Sequence, residues 1–192
     1  MGYICEDDVK ENNLLWYLCY FNPSCYFPEK RFRFLVHMDP DALTRANSVG
    51  PLPLHHSAAY STLRGFQLVF EAGIRYFSNK KGINFLFHRG RYGGKSPFEI
   101  SCKKHGRVKV LKVIESALIG CPGEPYDAVD ALSLAILDEN IDLEGVNFIL
   151  RREPDVLAKL LSTAQLKPRC DNDNPYGCNG VGNKDRKSTR LN

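Results

Sequence analysis

A proline that opens a helix and is followed by a bulky apolar residue recurs along this chain, and that recurrence limits what it can fold into. Pro53-Leu54-His55 begins one unit and Pro97-Phe98-Glu99 begins another, 44 residues later. At that offset Leu54 meets Phe98, Ser57 meets Ser101 and Ala58 meets Cys102. Farther on, Val69 meets Val113, Phe70 meets Ile114 and Glu71 meets Glu115. Small residues fall on small ones and bulky apolar residues on bulky ones. A stack of helix pairs needs this pattern, because each unit buries its apolar face only against its neighbours. Two further segments match at longer range. Residues 34–43 read F-L-V-H-M-D-P-D-A-L and residues 148–157 read F-I-L-R-R-E-P-D-V-L, with seven of ten positions identical or close. Pro40 and Pro154 cannot sit inside a helix, so each marks a stop and a new start.

The local chemistry supports the same division. Proline at the first helical position loses no hydrogen bond, and Ser96 is placed to cap the helix that Pro97 opens. Gly50 and Gly94 are expected to take a positive φ in the preceding turns. Ser57, Ala58 and Ser101 are small enough to let neighbouring inner helices approach closely. Residues 14–19 and 30–38 read as a weaker first helix pair. Residues 127–137 and 143–152 read as a degenerate last pair, followed by a short closing helix from Pro154 to residue 161.

These units resemble the ankyrin repeat, whose inner helix opens with T-P-L-H-x-A-A. The chain has L-P-L-H-H-S-A at residues 52–58 and S-P-F-E-I-S-C at residues 96–102. The turn before each matches as N-S-V-G-P-L-P from Asn47 and R-Y-G-G-K-S-P from Arg91. Leu52 stands where the family has its capping Thr, and Glu99 where it has His. The 44-residue spacing exceeds the family's 33, so the excess is expected between Gly73, at the end of the outer helix, and Gly94, in a long finger. Long irregular units of this kind are similar to those of algal ankyrin-repeat proteins. The resemblance implies an all-α helix-turn-helix solenoid of about four pairs that binds another protein on its concave face. Inner-helix ends and finger tips then supply the contacts, which fall on Ser48, Val49, Ala59, Tyr60, Tyr92, Lys95, Lys103 and Lys104.

The rest of the chain bounds this reading. Residues 1–11 form an N-terminal segment, 12–164 the repeat domain and 165–184 a disordered tail rich in Asn, Asp, Gly and Pro. Residues 185–192, D-R-K-S-T-R-L-N, are similar to a translated sequencing adapter and are expected to be an artefact. The acidic start lacks the basic region of a signal peptide, and no apolar run is long enough for a spanning helix. Seven cysteines, odd in number and without C-x-x-C, read as free thiols in a reducing compartment. The expectation is an intracellular monomer, cytoplasmic or nuclear, with no cofactor.

Several residues invite a chemical reading, and each has a plainer one. His55 and His56, or Cys102 with His105, have partial metal-ligand spacing, but no further ligands cluster with them. His55 falls on the repeat's structural histidine. Cys102 lies at a small packing position, where a thiol is ordinarily inert. Gly94-Lys95-Ser96 matches the end of a phosphate loop, yet Arg89 stands where its first glycine belongs. From Arg75 to Lys112 there are eleven Lys and Arg against Glu99 alone, interleaved with Tyr76, Phe77, Phe85, Phe87 and Tyr92. From Glu124 to Asp155 the sign reverses, with nine acids against two arginines. Such blocks steer an acidic protein partner, or alternatively a nucleic acid on the basic finger, and are otherwise an ordinary solvated face.

Overall fold

A computed structural model describes residues 6–20, 26–46, 50–77, 82–90, 94–120 and 127–165. Ser48, Val49 and Tyr92, and the tail and adapter-like segment beyond residue 165, lie outside the described residues. Among those described, the regular structure is all helical. It comprises α1 (Glu6–Glu11), α2 (Leu14–Tyr20), α3 (Glu29–Met38), α4 (Pro53–Tyr60), α5 (Leu63–Tyr76), α6 (Pro97–His105), α7 (Arg107–Gly120), α8 (Ala128–Leu137), α9 (Leu143–Arg152) and α10 (Val156–Gln165). Short 3-10 turns occupy Pro40–Leu43 and Asn84–Leu86.

The sequence explains most helix starts. Pro53 and Pro97 sit in the first turns of α4 and α6. Ser96 and Glu99 form a reciprocal cap, the Glu99 N–H donating to Ser96 Oγ at 3.3 Å and the Ser96 N–H to Glu99 Oε2 at 2.8 Å. Thr62, Asp127 and Asp142 accept backbone N–H bonds at the heads of α5, α8 and α9. Pro40 restarts the chain as a 3-10 turn after α3. Positive φ occurs at Gly50 (100°), as expected, and at Gly106 (88°), where α6 ends, but not at Gly94. Residues 6–11 fold as α1, which packs on α2 and α3 and buries Val9.

Helices α2, α4 and α6 lie side by side in chain order: α2 packs on α4, and α4 on α6. Ser57, Ala58 and Ser101, all fully buried, allow this approach. On the outer side α5 packs on α7. Phe66, Phe70 and Ile74 of α5, with Val110 and Ile114 of α7, are completely buried behind that row. Gly65 leaves room for the Phe27 ring, which a Cβ there would meet at 2.8 Å.

Beyond α7 the arrangement changes. α8 packs against α9, α10 and Asn84–Leu86 instead of lying along α6. The residues expected to form a protruding finger account for this. α5 runs past Gly73 to Tyr76, and residues 82–87 turn inward and are buried. A Cβ on Gly73 would meet the Phe85 ring at 3.3 Å. Phe87 lies 5.4 Å from both the Phe98 and the Phe148 rings, and a Cβ on Gly145 of α9 would overlap it at 2.8 Å. Hydrogen bonds complete the junction. Asn84 Nδ2 donates to the Ala131 carbonyl at 3.0 Å, and the Asp142 N–H to the Phe87 carbonyl at 2.9 Å. His88 forms an isolated antiparallel bridge with Ile141. The insertion is therefore a wedge joining the last helix pair to the rest.

Two substitutions test the wedge. Phe87→Ala is expected to cost about 3–5 kcal/mol, the range for a fully buried phenylalanine. Gly145→Val overpacks the same contact at about 1–3 kcal/mol. In both, hydrogen exchange should accelerate across residues 128–165 more than across 53–76. Equal acceleration in the two regions would contradict the wedge.

Candidate functional site

The exposed edge of α2, α4 and α6 carries most of the expected binding residues that the structure describes. Tyr60, at the end of α4, is 53% exposed. Ala59 beside it is half-buried, and Lys103 is exposed in the last turn of α6, whereas Lys95 is exposed at the opposite end of that helix, ahead of Ser96. Lys104 has a structural task as well. Its ammonium donates to the carbonyls of Ala59 at 2.9 Å and Ser61 at 2.7 Å. It thus ties α6 to the C-terminal end of α4, where carbonyls lack helical partners and a cation is favoured.

The structure adds residues that the sequence did not single out. The rings of Trp16 and Tyr20 on α2 stack at 5.0 Å. Tyr20 meets Tyr60 across the helix pair at 5.2 Å, edge to face. His56 fills the space between, 4.7 Å from Trp16 and 6.2 Å from Tyr60. Tyr17 packs edge-on against Trp16 at 5.1 Å and is half exposed. Such pairs contribute beyond their buried area and hold the rings in fixed positions. The signal was present as W-Y-x-x-Y at residues 16–20, but with Leu14 and Leu15 just before it the segment reads as core. Burial pushes the His56 imidazole below its ordinary range, so it sits in the cluster as a neutral ring.

His55 points away from this face. Its Nδ1 accepts the Leu52 N–H at 3.1 Å, fixing the turn before α4. Burial, and secondarily the His88 imidazole beside it, lowers its pKa from 6.5 to about 4. His88 is also pushed down by burial. The folded chain therefore holds His55 neutral, whereas the unfolded chain takes up its proton as pH falls through about 6.5.

The other candidate chemistries meet structural uses. The Ser96 hydroxyl caps α6, which accounts for the Ser of Gly-Lys-Ser. Burial raises the Cys102 thiol, the opposite of what a nucleophile requires. Among the described residues, no group of three or more His, Cys, Asp or Glu is placed to hold a metal, and no helix is long and apolar enough to cross a membrane. The two charge blocks partly meet each other, Arg89 pairing with Asp142 at 3.0 Å and Arg107 with Glu144 at 2.6 Å. Phe85 and Phe87 lie inside the wedge and are not available to stack on bases.

Two outcomes follow from these contacts. His55 contributes stability that is full above pH 6.5 and is lost as pH falls toward about 4. Urea unfolding should therefore show a loss on the order of 2 kcal/mol between about pH 7 and about pH 5, above the range where most carboxylates titrate. A flat profile there would contradict a buried neutral His55. Lys104→Met keeps the aliphatic stem but removes the two charge-assisted bonds, and should lower stability by about 1–2 kcal/mol.

In comparisons with known proteins, no family model, no curated protein and no solved structure matches this chain.

Proposed function

We propose that the chain is an ankyrin-like repeat module whose inner-helix edge binds another protein. The observation that carries this is the aromatic row on adjacent helices, with Tyr17, Tyr20 and Tyr60 presented at the surface and Lys103 exposed in the last turn of α6. Tyrosine is favoured at interfaces because it buries a large area with few rotors to immobilise. Their rings are also fixed by one another, which reduces the ordering cost of binding. The exposed cations suit a partner with an acidic surface, and rim charges of this kind act mainly on the association rate.

The order of contacts from α2 through α4 to α6, the small residues between those helices and the His55 bond to Leu52 all support the ankyrin-like solenoid reading. The offset of α8 is its main irregularity. The basic stretch gives less support to nucleic-acid binding, because Arg89, Arg107 and Lys104 are engaged within the protein.

Affinity capture with the full chain and with Tyr20→Ala/Tyr60→Ala tests the reading. Proteins retained by the parent should be lost with the double variant, each tyrosine contributing about 1–2 kcal/mol and acting on the dissociation rate. Lys103→Glu should slow association and weaken its salt dependence. Lys104 is left intact, since reversing it would disturb α4. Circular dichroism has to stay unchanged in all variants. Partners that bind regardless of Tyr20, Tyr60 and Lys103 would refute this face, and retention of polyanions with steep salt dependence would favour nucleic acid instead.

A further inference from the structure

A second surface lies on the opposite side of α6, where the wedge keeps α9 away from α7. The outer helices α5 and α7 pack directly, but between α7 and α9 a cleft of about 520 Å3 opens. One wall is Arg107, Leu111 and Glu115, which lie on one face of α7 at four-residue intervals. The other is Glu144, Asn147, Phe148, Arg151 and Arg152 of α9, with Phe98 at the closed end. Phe87 holds that end apart by packing on both Phe98 and Phe148. Arg107 lies 5.2 Å over the Phe98 ring and pairs with Glu144 at 2.6 Å, so both of these charges are matched within the protein.

The remaining charges are not matched. Arg151 and Arg152 are exposed in the last turn of α9, and neither pairs with an acid among the described residues. Besides Glu144, which Arg107 holds, Glu115 is the acid that lines the cleft. The lining therefore combines apolar Leu111 and Phe148 with the exposed guanidinium groups of Arg151 and Arg152, the Asn147 amide and one further carboxylate, Glu115. Arginine forks are suited to two-point recognition of carboxylates. We infer that this cleft is a binding site for an acidic peptide segment of a partner protein, its carboxylates on Arg151 and Arg152 and an apolar side chain on Leu111 and Phe148. Each wall spans nine residues of helix, a rise of about 12 Å, which matches about four extended residues of ligand. The volume falls within the range of specific pockets. This inference is independent of the aromatic face, which looks out from the other side of α6.

A phage-displayed library of random eight-residue peptides, selected on the full chain, tests it. The expected result is enrichment of peptides that carry an acidic residue near an apolar one. Their affinity should fall about tenfold or more in Arg151→Gln/Arg152→Gln, two lost charge-assisted contacts, and should be unchanged in Tyr60→Ala. Glutamine retains helix propensity, and circular dichroism confirms that α9 is intact. Failure to enrich acidic peptides, or enriched peptides whose binding ignores the Arg151/Arg152 change, overturns the inference. Peptides lost only with Tyr60→Ala would overturn it too, while supporting the aromatic face.

Discussion

The close approach of α4 to its neighbours is the constraint on which the other features depend. Ser57, Ala58 and Ser101 are fully buried there, and side chains of ordinary size would hold the helices apart. Because the helices are close, Lys104 on α6 reaches the last carbonyls of α4, and Tyr20 on α2 reaches Tyr60 on α4. The same proximity aligns the exposed ends of these helices into one surface. A row of aromatic rings and cations results, rather than isolated residues.

The wedge at residues 82–90 introduces the departure from regular stacking. It carries Phe85 and Phe87 into the core and offers backbone groups to the Ile141 strand-like turn through the His88 bridge. The last pair is attached through this segment and through the Arg89–Asp142 and Arg107–Glu144 pairs. Those surface pairs contribute little energy individually, and the buried contact of Phe87 with Gly145 and Phe148 sets how closely α9 approaches. The cleft beside α7 is the geometric result. One insertion therefore accounts for the 44-residue spacing, the displaced final helices and a second exposed surface.

Much of the helical organisation was legible because its signals are local. Proline and cap residues mark the starts of α4 and α6, and α9 occupies residues 143–152 as its apolar spacing indicates. The wedge was not legible. G-I-N-F-L-F at residues 82–87 is too short and too apolar, with Leu86 between Phe85 and Phe87, to settle on a helix or a strand, and its burial depends on Phe98, Phe148 and Gly145 on other elements. The charge blocks were visible as composition, but their pairing is tertiary, as with Arg89 and Asp142. The aromatic site was half legible: Tyr60 stood out beside a repeat motif, whereas Trp16, Tyr17 and Tyr20 were masked by the leucines around them. His55 acts through a bond three residues away, to the Leu52 N–H, so its neighbourhood lies within the local sequence.

Trp16 is the chain's single tryptophan, and it lies stacked on Tyr20 within the proposed binding face. Its fluorescence therefore reports directly on the central claim. Titration with a captured partner, excited where only tryptophan absorbs, should shift the emission and reduce its quenching by acrylamide with the same midpoint as binding. A partner that binds fully while Trp16 emission and acrylamide quenching stay unchanged would contradict the account.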